Sequence, residues 1–104
     1  MNVREMETIR FLEDGKQYDG TVLGRCDEYF WLLVPELNSV YVGNPSTNIF
    51  EHSGVKYVRV YDLRRRVSDM FDEHGAFCSD VFQYAEAPER MIALLRTYKL
   101  LIAP

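Results

Sequence analysis

The chain has no apolar run approaching the roughly 20 residues that a membrane-crossing helix needs, which excludes a helical membrane span. Cysteine is scarce. Cys26 and Cys78 stand far apart and follow no spacing pattern, which excludes a disulfide framework. The opening MNVREME has no apolar centre, so no export signal is expected, and the thiols are expected reduced in the cytoplasm. Positive charge is also short. Lys and Arg total 12 against 16 Asp and Glu, for a net charge of −4 and a pI near 5.1. Binding to duplex nucleic acid depends on neutralising phosphates, so a non-specific duplex binder is excluded. No glycine-rich phosphate loop is present, and Ser53-Gly54 lacks the glycine that precedes a nucleophile elbow. With neither repeats nor low-complexity linkers, the 104 residues predict a single compact unit and no enzyme.

Aromatic residues, by contrast, are plentiful, with seven Tyr and six Phe. Such density fills cores and also marks interfaces, where Tyr is enriched. Asn2 and Glu5 are spaced as a capping box and predict a helical turn at the start. Thr8 to Leu12 alternates as a first strand, and Asp14-Gly15 is a hairpin turn. The second strand runs from Lys16 to Arg25, where Gly20 and Gly24 mark bends. Asp27-Glu28 turns the chain into the apolar strand Tyr29 to Val34, which Pro35 ends. Val40 to Gly43 and Val55 to Leu63 complete five strands, with residues 43–48 a loop and Ser53-Gly54 a turn. The period then becomes helical. Val67, Met70, Phe71 and His74 predict one helix, and Met91, Ile92, Leu94, Leu95, Tyr98 and Leu101 predict another opened by Pro88. The expectation is a mainly β protein. A five-stranded, strongly bent SH3-like or Sm-like barrel spans 1–63, and a helical extension over 64–104 packs on the barrel or on a neighbouring subunit.

Cys26, His52, His74 and Cys78 are all the thiols and imidazoles present. They could suit zinc by type but lack the close ligand pair of a zinc motif, so neither a metal nor a cofactor is expected. Arg64-Arg65-Arg66 is the one basic cluster, read either as a phosphate grip or, preferably, as a solvated strand-to-helix junction. Tyr29, Phe30 and Trp31 beside a tight turn could stack on bases or could fill a core.

Asp14-Gly15, Tyr18, Gly20, Val22, Asp27, Tyr29, Leu32 and Leu33 follow, without gaps, the order of the first motif of the Sm/Hfq family. Glu36 and Val40-Tyr41-Val42 continue the likeness, and Ser53-Gly54 with Tyr57 and Val60 resembles its second motif. The resemblance covers residues 8–63. It implies a homo-oligomeric ring of roughly five to seven copies that binds single-stranded RNA, with uncovered strand edges joined between subunits. It places the RNA site at Asp27, Tyr29, Trp31, Ser53 and Gly54, with Tyr29 as stacking platform, and Arg65 is added as a phosphate contact. Two departures stand out. Trp31 replaces the family's asparagine, and Ser53 replaces its Arg or Lys. The alternative is an SH3-like protein-interaction module, an acidic adaptor or inhibitor that binds no RNA.

Overall fold

The computed structural model describes residues 3–102, with side chains as far as Lys99. Seven strands form one sheet: β1 (Thr8–Glu13), β2 (Lys16–Arg25), β3 (Phe30–Val34), β4 (Ser39–Gly43), β5 (Ile49–His52), β6 (Val55–Val58) and β7 (Leu63–Arg66). Their spatial order is β5-β6-β1-β2-β3-β4-β7. All neighbours are antiparallel except β1 and β6, which pair in parallel at Arg10↔Tyr57 and Phe11↔Val58. A single turn, α1 (Pro45–Asn48), lies between β4 and β5, and α2 (Pro88–Ile102) closes the chain.

The expected five-stranded closed barrel is therefore corrected. Among the described residues β5 and β7 do not pair, and the sheet remains open. Among the described residues the tail carries one long helix rather than several. The curvature, however, is real. β1 and β4 are three strands apart, about 14 Å in a flat sheet, yet the Phe11 and Tyr41 ring centroids are 4.1 Å apart. A bulge between Val22 and Gly24 supplies one bend. Gly20 supplies close approach, since a Cβ there would sit 2.7 Å from Leu32 Cγ.

The turns follow local chemistry. Asp14 (φ 52°) with Gly15 (φ 75°), and Ser53 (φ 52°) with Gly54 (φ 78°), both take the left-handed pair that tight two-residue hairpins require. Asn38 (φ 48°) ends the short 3-10 turn at Pro35–Leu37 and starts β4. Residues 43–48, expected as loop, contain α1 because Asn44 accepts a hydrogen bond from Ser46 N and Pro45 opens the turn. The predicted strand over residues 55–63 divides. β6 ends at Val58 and β7 begins at Leu63, so the arginine cluster forms an edge strand and not a strand-to-helix junction. β7 therefore runs across the expected boundary at residue 63. The predicted helix at 67–74 reduces to a 3-10 turn, Val67–Met70, followed by a bridge between Phe71 and Phe77. Asn2 lies outside the described residues; Glu7, not Glu5, accepts the Arg4 amide, and the turn at Glu5-Met6 is not helical. The side chain of Leu101 also lies outside them.

Both faces of the sheet are covered. One face holds Ile9, Phe11, Val22, Phe30, Leu32, Val34, Tyr41, Ile49 and Val58 inside the curl. The other holds Trp31, Leu33, Val40 and Val42 beneath Val67, Met70, Phe82, Met91 and Leu95. α2 lies on the second face over Gly24, where a Cβ would meet Met91 Sδ at 2.7 Å. The tail thus packs on the sheet, and the Tyr98 hydroxyl donates across to Asn38 Oδ1 at 3.1 Å.

Candidate binding groove

β3 is buried along its whole length, so its side chains divide between the two cores. Trp31 falls on the helix-covered face and is only 2% exposed. Its indole Nε1–H donates to the Val81 carbonyl at 2.6 Å, across 50 residues of sequence. The resemblance implies stacking at Trp31; its ring is instead spent inside the protein. Tyr29 precedes β3 just beyond the turn closed by the bond from Cys26 N to Tyr29 O (2.9 Å). Its half-buried ring meets Trp31 edge-on at 6.4 Å. Trp31 thus packs against Tyr29 and, through its bond to Val81, ties the segment around residue 81 to the sheet.

That segment forms one wall of a groove of about 250 Å³, with Tyr29, Trp31, Val42 and Leu63 at its base and Arg65, Val81 and Tyr84 around it. Asp62, Asp80 and Gln83 complete the lining. Tyr84 is 73% exposed, a large aromatic surface left in solvent. A buried aromatic floor with one exposed aromatic wall and polar residues at the rim is the usual composition of a ligand groove. Its charge comes from one arginine and two aspartates, which disfavours a run of phosphates.

The expected site residues divide. Tyr29, Trp31 and Arg65 come together at this groove. Asp27 is exposed in the β2–β3 turn. Ser53 and Gly54 lie in the β5–β6 turn, which emerges at the same end of the sheet because β6 runs parallel to β1. In the sheet, β1 stands between the two hairpins that carry those turns. Tyr84 and Gln83, absent from the expected site, lie in a stretch where neither the strand nor the helix period holds. The signal available was a large aromatic among Asp80, Gln83 and Glu86, with little apolar company.

A second concavity, about 360 Å³ and lined by Arg4, Glu5, Arg25, Glu86 and Arg90, is mixed in charge. Arg90 there is already paired with Glu5 at 2.6 Å. Inside the curl, Tyr41 and Tyr61 both point their hydroxyls at Glu13, each at 3.5 Å. Burial, helped by the Glu13 charge, raises the Tyr41 pKa against an opposing contact from Arg64. That cluster is packing chemistry, since Tyr41 is 1% exposed. Among the described residues no group of three or more His, Cys, Asp or Glu is placed to hold a metal, and both cysteines are free. No described helix is long and apolar enough to cross a membrane. No protein-family model, curated protein or solved structure matches the chain.

Proposed function

We propose that the protein is a non-catalytic interaction module that binds an extended peptide segment in the Tyr29–Tyr84 groove. The single observation that carries this reading is Tyr84. It is 73% exposed beside a floor of buried Trp31 and the half-buried Tyr29 that meets it edge-on. Binding energy concentrates in Tyr and Arg residues next to well-packed pockets, and Tyr84 with Arg65 fits that pattern. Net charge supports the same choice. A chain of net −4, with more acid than base at the groove, suits a peptide better than a polyphosphate.

The test is selection from a displayed library of linear peptides. Enriched peptides should bind the wild type, and Tyr84→Ala should weaken them by on the order of 2 kcal/mol, the loss of one aromatic anchor. Tyr84 is exposed, so folding should be unaffected, and circular dichroism serves as the control. The ring and the single-stranded RNA implied by the Sm/Hfq resemblance are the competing outcome. Affinity for uridine-rich or adenine-rich single strands that falls with Tyr29→Ala, in a species of several copies by light scattering, would replace the peptide reading.

A further inference from the structure

We infer that the bound segment adds to the sheet as a further strand along β7, and that it alternates acidic with apolar residues. This rests on the peptide reading of the groove and deepens it by naming the chemistry of the partner.

The inference starts from backbone bookkeeping. Val67 N–H donates to Asn38 O at 2.9 Å, one step beyond the Ser39↔Arg66 pair. Hydrogen-bonded pairs alternate with non-bonded pairs in an antiparallel ladder. Leu63 and Arg65 therefore turn their backbone groups toward β4, and Arg64 and Arg66 turn theirs outward. Among the described residues no strand pairs with that outer side. The Arg64 carbonyl has only a substitute partner, the guanidinium of Arg65 at 3.0 Å. An incoming strand amide would replace that contact and free the Arg65 side chain for the ligand.

Side chains along β7 alternate as well. Leu63 and Arg65 are half-buried and line the groove, while Arg64 and Arg66 are exposed on the opposite face. A strand added to this edge has the same alternation. Every second residue would then lie over Leu63 and Tyr84, in apolar company. The intervening residues would lie beside Arg64 and Arg66, where carboxylates are favoured across the strand pair. Arg64 already has the Tyr41 hydroxyl as a hydrogen-bond partner, so Arg66 is the arginine best placed for a ligand carboxylate. Three consecutive arginines on an edge also deter pairing with another basic edge, such as a second β7. In a chain of net −4 this edge is the local exception, and it selects an acidic partner.

The probe is a short fluorescent peptide of alternating valine and glutamate with a tyrosine near each end, titrated at low salt by anisotropy. Controls are its lysine-for-glutamate counterpart and a version N-methylated at every second amide, which removes the strand hydrogen bonds. The expected result is saturable binding of the acidic peptide. N-methylation and Arg66→Glu should each weaken it by about tenfold or more, and the lysine peptide should show no comparable affinity. Equal binding of the lysine and glutamate peptides, or indifference to N-methylation, overturns the inference. If Tyr84→Ala abolishes binding in that case, the groove stands and only strand addition falls. If N-methylation abolishes binding and Tyr84→Ala does nothing, the groove reading itself fails, and with it the inference. No binding of the acidic peptide, or binding traceable only to self-association of the protein by light scattering, also overturns it.

Discussion

The two cores of this molecule are built by different means from the same strand. Inside the curl, Phe30, Leu32 and Val34 of β3 sit in a core drawn mostly from strands, with Val3, Leu37 and Tyr61 added at its margins, and aromatic rings interlock. Phe11 lies 4.1 Å from Tyr41 and 6.0 Å from Tyr61, measured between centroids. On the other face, Trp31 and Leu33 meet a helix and an irregular segment, held partly by one polar contact, Trp31 to Val81. The first core can exist only if the sheet bends. The second needs a flat enough patch for α2 to lie on. Curvature and the groove are therefore separable: the inner core shapes the sheet, and the outer core builds the groove wall.

The most severe way to break this division is Phe11→Ala. The residue is fully buried among three tyrosines, so about 3–5 kcal/mol of stability should be lost, measured by denaturant unfolding. Next comes Trp31→Phe on the other face. It leaves the Val81 carbonyl without its donor and should cost about 1–3 kcal/mol. Amide exchange should rise in residues 79–84 while β1 and β6 keep their protection. If β1 loosens equally, the two cores are one unit.

Two glycines probe how tightly each face is packed. Gly20→Ala drives a Cβ into the branch point of fully buried Leu32 and should cost about 1–3 kcal/mol. Gly24→Ala presses on Met91, a flexible side chain whose sulfur can move, so its cost should be smaller, about 1 kcal/mol or less. Equal penalties would mean that the helix-covered face is packed as tightly as the curl.

The smallest effect concerns Glu7. Burial acts to raise its pKa, but the Lys56 ammonium at 2.7 Å and the Arg4 amide outweigh it, so the folded value lies below the ordinary 4.5. Its contribution is present above that pH and disappears as the pH falls through the folded value. Glu7→Gln should therefore lower stability slightly near neutrality, by under about 1 kcal/mol from denaturant unfolding, and match the wild type in acid. A difference that persists unchanged in acid would show that the pair contributes no charge-dependent stability.

Much of the fold was legible because it rests on local signals. Asp14-Gly15, Ser53-Gly54, Pro35 and Pro88 each act within a few residues, and all sit where expected. The arrangement of the last strands was not legible. Residues 49–52 are too short to show a period and predict no strand, and Arg64-Arg65-Arg66, with no apolar residue, reads as a junction. Of the groove residues, Tyr29 and Arg65 stand out in the sequence as an aromatic after a turn and a member of a basic cluster. Trp31 was legible only as either a stacking face or a core residue, and the structure buries it. A strand covered on both faces shows a continuous apolar run, and such a run does not reveal which residues face which core.

The parallel seam between β1 and β6 has a consequence of its own. Only two residue pairs make it, and all of β2 to β5 lies between its halves in the chain. Closing it requires the long excursion through the meander to be made first, so among the strand pairings it is the costliest in chain entropy and the natural last one to form. It is also where the sheet can part locally at least expense, with the β5–β6 hairpin swinging away as a unit. Glu7, just before β1, and Lys56, on β6, fasten that seam from opposite sides. Parting it would open the curl to water but leave the helix-covered face, and the groove built on it, in place.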